Sequence, residues 1–330
     1  MSTATSGGAR VLSRIAPYLG VIALGGFALL LPQAQLSGQV MSLATGAVIY
    51  SIAAAGLGFL WGQSGQLTLA HSSVFGIGAY AAAVGAKHFG LDFVTAFPWS
   101  IGLSLVAGAL IALPSLRTSG HYFVILTFAV GEVITVIEMR LESITGGVNG
   151  ITALPGAQTL FGLRIGGRTD YYLVVVGFAV VVFLILLALI RSRWGILLRG
   201  MRENEDLSRS LGVNVALHRL IAFALAGAVA GLAGHLYMYF VKSIAPESFT
   251  SHLSIIFLLV VLLGGKTFLL GPIIGSVVYV FVPEFLGLSP VRSQIAFGVI
   301  LVIMILLAPG GLMSLPGRAM ARLRARKKTA

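Results

Sequence analysis

Arg199-Gly200-Met201-Arg202-Glu203-Asn204-Glu205-Asp206-Leu207-Ser208-Arg209-Ser210-Leu211-Gly212-Val213-Asn214 is the one densely charged segment inside an otherwise apolar chain. Apolar runs flank it, Tyr171–Ile190 and His218–Val241, each long enough to cross a bilayer. A charged side chain at the bilayer centre costs roughly 3 kcal/mol, so the segment lies outside the membrane. A short polar helix held between two spans is a handle by which a soluble partner can move what lies in the membrane.

Composition sets the class. The chain is 57% hydrophobic and 10% charged, with a mean hydropathy of +0.98. A soluble domain carries about 25% charged residues, so a soluble globule is excluded. The 42 glycines fit helices that approach closely. The lack of cysteine excludes a disulfide framework and a thiolate metal site, and the 6 histidines are scattered without ligand spacing. No cleavable signal peptide is expected, because the first apolar run lacks a cleavage site and further spans follow it.

A span needs about 20 apolar residues, fewer where a helix is broken or re-entrant. Ten segments meet this pattern: Ile15–Leu31, Val40–Trp61, Gln66–Ala86, Thr95–Leu116, His121–Glu138, Tyr171–Ile190, His218–Val241, His252–Leu263, Pro272–Leu286 and Ser293–Leu307. The eighth and ninth are short and meet at Gly264-Gly265-Lys266, so they form either two spans or a re-entrant hairpin. The expected fold class is an all-α, polytopic transmembrane helix bundle of eight to ten membrane segments. Its parts are a tail over 1–14, a membrane domain over 15–312 and a basic tail over 313–330. With both termini cytoplasmic, 16 of the 22 Lys and Arg residues fall inside, and the positive-inside rule selects that orientation. The net charge of +12, concentrated in Arg318–Lys328, then reads as a topology anchor near anionic lipid and not as a nucleic-acid tail.

Four separated stretches resemble the LivM-type permease of branched-chain amino-acid ABC importers. The first is Ser51–Tyr80, with Trp61-Gly62-Gln63-Ser64-Gly65-Gln66-Leu67-Thr68-Leu69-Ala70-His71 and Phe75-Gly76-Ile77-Gly78-Ala79-Tyr80. The second is Leu116–Ile134 followed by Thr145-Gly146-Gly147-Val148-Asn149-Gly150. The charged segment is the third, and Ile244–Gly275 with Leu307-Ala308-Pro309-Gly310-Gly311-Leu312 is the fourth. They span about residues 45–312 in family order. Thr68-Leu69-Ala70-His71 departs from Ser-Leu-Gly-His, and Leu207-Ser208 replaces an Ala-Ala pair.

The resemblance implies a bacterial inner-membrane permease subunit with four kinds of neighbour. They are a related second permease, two ABC ATPases, a periplasmic substrate-binding protein and the bilayer, with no nucleic acid. ATP and magnesium would sit on the ATPases, and no cofactor on this chain. The substrate it implies is a branched-chain or other hydrophobic amino acid, with urea, amides or other small acids as the alternative. It also assigns ATPase coupling to Arg202, Glu203, Glu205, Asp206, Leu211 and Gly212. Glu203, Glu205 and Asp206 suit the positive end of an amphipathic helix of about three turns, which Gly212 would end. Its apolar positions, Met201, Leu207 and Leu211, suit a groove on an ATPase. Reversing the charge of Glu205 is then expected to uncouple hydrolysis from uptake.

Polar residues inside the spans are candidates for the translocation path. Gln63 and Gln66 flank a glycine-rich break that is either a loop or non-helical backbone lining a cavity. Thr68, His71 and Ser72 fall at i, i+3 and i+4, on one helical face, to hydrogen-bond a substrate or a neighbouring helix. Glu132 needs a partner, a proton or a water-filled cavity, and Thr135 and Glu138 share its approximate face. His235 and Glu284 invite the same two readings. Gly265-Lys266-Thr267 is not a phosphate loop, because Val260 stands where the leading glycine belongs, so the chain is not expected to hydrolyse ATP. A secondary transporter using Glu132 as its ion site, or an intramembrane enzyme, remain the rivals. No nucleophile–base pair supports the latter.

Overall fold

Each of the ten apolar stretches carries a helix in the computed structural model, which describes residues 5–34, 37–116, 118, 120–160, 162–287, 290–307 and 310–314. The helices in chain order are α1 (Thr5–Leu30), α2 (Gly38–Phe59), α3 (His71–Phe89), α4 (Phe93–Ala112) and α5 (His121–Arg140). A single turn, α6 (Glu142–Thr145), and a two-residue hairpin, β1 (Thr159–Leu160) with β2 (Leu163–Arg164), lead to α7 (Arg168–Arg191). The charged segment forms α8 (Arg193–Glu203) and α9 (Glu205–Ser210), and α10 (Val215–Val241), α11 (Ser251–Gly264), α12 (Gly271–Phe285) and α13 (Pro290–Leu307) follow. The basic run Arg318–Lys328 lies outside the described residues.

Among the described residues, six helical stretches are long and apolar enough to cross a membrane, among them Pro246–Gly264, where a 3-10 turn precedes α11. At 1.5 Å per residue, the 15 residues of α12 reach only about 22 Å, short of a hydrocarbon core of about 30 Å. Within His252–Leu286 both arms of the hairpin are therefore short, and only the turn over Pro246–Phe249 brings the first to 19 residues.

Helix α10 is the axis of the bundle, packed against α4, α3 and α2. Small residues let these backbones meet: a Cβ on Gly227 would lie 2.5 Å from the Ser104 carbonyl, and one on Gly78 2.4 Å from that of Gly231. Without a hydrophobic force between helices in lipid, such close van der Waals approach is what holds spans together. An aromatic cluster fills the adjoining space, with the ring of Phe75 within 5.4 to 5.8 Å of Tyr237, Phe257 and Phe249. Helix α5 sits at the margin. It buries Phe123, Thr127, Gly131, Thr135 and Glu138 along one stripe and exposes Tyr122, Ile125, Val133 and Val136 on the other side.

Two expectations need correction. The third segment is not helical from Gln66: a π turn over Leu60–Ser64 ends at Gly65 with φ of +75°, and α3 begins only at His71. Side-chain oxygens take over the backbone donors in between, Thr68 Oγ1 accepting from the Ala70 amide and Thr127 Oγ1 from the Leu69 amide. Nor is the charged segment one helix. Asn204 is extended and its side chain accepts from the Leu207 amide, so it ends α8 and caps α9. Glu203 is thus the last residue of α8 and not part of a first turn.

Candidate functional site

The charged segment is an elbow of two short helices lashed to one end of the bundle. Ser192 caps α8, which buries Gly195, Leu198 and Met201. From the same face Arg199 donates to Gln63 Oε1 at 2.7 Å and to the Ile190 carbonyl at 3.0 Å, while Arg202 donates to the Gly62 carbonyl. Both arginines therefore grip the break after α2. Lys266 lies over the Trp61 ring at 4.8 Å, which brings the α11–α12 turn to the same end.

Helix α9 is fixed by Glu205. One carboxylate oxygen pairs with Arg209 at 2.6 Å, and the other with Arg219 of α10, which is buried and also donates to the Ser115 carbonyl beyond α4. Burial alone would raise the Glu205 carboxyl. The hydrogen bond from Arg209 and the charge and hydrogen bond of Arg219 outweigh it and hold the group below the usual carboxylate range. Glu205 and Asp206 occupy the first turn of α9, where negative charge suits the helix dipole, and Gly212 stops the chain at φ of +84°. The outward surface includes Glu203, Asp206, Leu207 and Leu211, the two leucines 56% and 75% exposed. Of the six residues assigned to coupling, Arg202 and Glu205 thus hold the elbow to the bundle, and Glu203, Asp206 and Leu211 face away from it. Sequence reasoning missed Arg199 and Arg219 as anchors, since a partner 14 residues away in the chain leaves no short-range signal.

The candidate path residues Gln63, Gln66, Thr68, His71 and Ser72 are all buried. Thr68 precedes α3, so it shares no helical face with His71 and Ser72. His71 Nε2 lies 2.8 Å from the Ala53 carbonyl of α2, whereas the Ser72 hydroxyl and amide both meet the Ser254 hydroxyl of α11 at 2.7 and 2.8 Å. At the start of α3 the Ser72 amide is met by Ser254 and the Val74 amide by the Ala70 carbonyl. The void beside Thr68 and His71 measures only about 10 Å³.

Glu132 is half-buried and accepts from the Ser251 amide at 3.3 Å, placing its carboxyl at the N-terminus of α11. Thr135 donates to the Gly131 carbonyl. His235 is buried against Phe93, Phe97 and Tyr239 with Nδ1 3.0 Å from the Ser100 hydroxyl. Glu284 is exposed and accepts from Gln39. Glu138 is buried, and among the described residues neither of its carboxylate oxygens has a hydrogen-bond partner, nor does His235 Nε2.

An all-α bundle of membrane-crossing helices, with a charged elbow clamped to its central helix, defines a multi-pass membrane protein of the permease class. The chain belongs to the family described as branched-chain amino acid transport system / permease component, whose model matches residues 39–309. It is 32% identical over 301 residues to the high-affinity branched-chain amino acid transport system permease protein LivM of Escherichia coli (strain K12), covering 84% of this chain and 71% of that one. The protein of the same description from Salmonella typhimurium is 32% identical over 296 residues, covering 83% and 69%. A probable branched-chain amino acid transport permease protein LivH of Methanocaldococcus jannaschii is 26% identical over 299 residues, covering 84% and 94%. No solved structure matches the chain significantly.

Proposed function

We propose that this chain is the permease subunit of an ATP-driven importer for branched-chain or similar hydrophobic amino acids. It works beside a related second permease, in the inner membrane of a bacterium with both termini cytoplasmic. A periplasmic binding protein supplies substrate, and two separate ATPase subunits hold ATP and magnesium. The α8–α9 elbow is the part they grip. The observation that carries this reading is its construction: two exposed leucines on a capped helix whose inner side is tied to α10, to the end of α4 and to the break after α2. An apolar helix face suits a groove on a soluble partner. Force applied at Leu207 and Leu211 would pass through Glu205 and Arg219 into α10, and through Arg199 and Arg202 into α2.

Co-purification with ATPase subunits from the native membrane tests this. Wild-type chain should capture them, and Leu207→Asp with Leu211→Asp should lose both the ATPases and uptake while inserting normally. These leucines make a cleaner probe than Glu205→Lys, which also breaks the ion pair holding α9 in place. A wild-type chain isolated without ATPases, yet driving uptake from an ion gradient, would overturn the reading in favour of a secondary transporter.

A further inference from the structure

Helix α5 is seated on the bundle by one side only. The Leu69 amide donates to Thr127 Oγ1 at 3.0 Å and the Ser73 hydroxyl to the Gly131 carbonyl at 3.2 Å, so the side carrying both packs inward. The seat is close, since a Cβ on Gly131 would lie 3.1 Å from Ser73 Oγ and 3.3 Å from Ser251 Oγ. The other side is bare. Ile125 is 66% and Val133 57% exposed, and Ala129 and Val136 are exposed with them. Ile125, Ala129, Glu132 and Val136 fall at i, i+4, i+7 and i+11, on one stripe along the helix. Glu132 is thereby carried to the edge of the bare side, where it is half-buried. The bond from the Ser251 amide to Oε1 is its one hydrogen bond among the described residues. At 1.5 Å per residue from His121, Glu132 stands about 16 Å along α5, near the middle of a hydrocarbon core of about 30 Å.

Acyl chains offer a carboxyl no hydrogen-bond partner, and ionisable groups at that depth face protein or a water-filled cavity. Helix α7 shows the contrast: the exposed residues along its middle, Gly177, Val181, Ile185 and Ala188, are all apolar, which is what lipid accepts. A second copy of this chain does not cover α5 through α5 itself. Two-fold pairing would set Glu132 against its own equivalent or against Ile125, Phe128, Ala129, Val133 and Val136, and no side-chain N–H stands on that stripe. We infer that the bare side of α5 is the seat of the second permease, and that a helix of that subunit brings an N–H or O–H donor to Glu132. The small side chain of Ala129 lets that helix approach, and the polar contact sets its register. This deepens the transport reading above and rests on it for the existence of the partner.

The test uses the transporter assembled in its native membrane, with the photoreactive residue p-benzoylphenylalanine in place of Val133 and, in a second chain, of Ile125. Illumination should join this chain to the second permease, identified by the masses of the crosslinked peptides. The same residue in place of Val181 on α7 should give no protein adduct. Adducts from both α5 positions with lipid alone, or with another copy of this chain, overturn the inference, and so does the lack of any adduct. ATPases retained in the same preparation then show that the ATP-driven reading stands. An adduct with a second permease in a preparation without ATPases supports the seat and overturns the ATP-driven reading. Retention of the second permease through detergent purification reads the polar contact separately. Glu132→Leu should lower it about threefold, the size of a typical interhelical hydrogen bond in a membrane, while Glu132→Gln, which still hydrogen-bonds, should keep it. Equal retention in all three chains overturns the pairing of Glu132.

Discussion

Glu205 joins Arg209 on its own helix to Arg219 on the central one, so a single carboxylate decides where α9 sits. Removing it leaves a buried guanidinium one partner short, and Glu205→Gln should cost about 2 kcal/mol. The sign of the pH dependence follows from its lowered carboxyl. A depressed group stabilises the fold above its unfolded value and loses that contribution as pH falls through the folded value. Acidification below the ordinary carboxylate range should therefore lower the thermal midpoint of the detergent-solubilised protein. Glu205→Gln should flatten that dependence, and an unchanged slope in the variant would remove Glu205 as its source. Asp92 is held low as well, first by its side-chain hydrogen bond with Thr95, but it lies outside the elbow. It should contribute equally to wild type and variant.

At the scale of helices, the elbow depends on its break and the bundle on its crossings. Asn204→Ala removes the cap of α9 at a cost of about 1 kcal/mol. It should speed hydrogen exchange over Glu205–Ser210 while leaving α8 protected. The crossing of α10 with α4 is less forgiving, because a side chain on Gly227 meets the Ser104 carbonyl at 2.5 Å and Gly108 Cα at 3.0 Å, both backbone atoms. Gly227→Val should collapse the yield of folded protein after solubilisation. Gly177→Val on α7 faces open space and should leave that yield unchanged.

For the whole molecule, the basic residues described at each end agree in position with a single orientation. Arg199, Arg202, Arg219 and Lys266 meet around the break after α2 and the end of α4. Lys242 and Arg168 lie together at a cavity of about 590 Å³ where α7 begins and α10 ends. The native absence of cysteine makes a direct test simple. In sealed right-side-out vesicles, an impermeant maleimide should label Thr159→Cys at once and Leu211→Cys only after the membrane is opened. The reverse pattern would invert the topology.

The ten helices were legible in the chain because insertion depends on local composition: a run of apolar residues makes a span wherever its neighbours lie. The elbow was legible in its place and charge, and even its break has a local cause in the capping side chain of Asn204. The partners of the polar residues were not. Glu132 with the α11 amide, His71 with Ala53, Ser72 with Ser254 and Arg219 with Ser115 are meetings of separate helices. They depend on how each helix is rotated and where it crosses the next, and close backbone contacts such as Gly78 on Gly231 set those crossings. So the sequence by itself determined the class of the protein, the helices along its apolar stretches and the place of the charged segment between two of them. Only the tertiary structure decided which polar groups are paired inside the chain and which, like the Glu138 carboxyl, are buried without a partner among the described residues, because pairing is a property of neighbours in space.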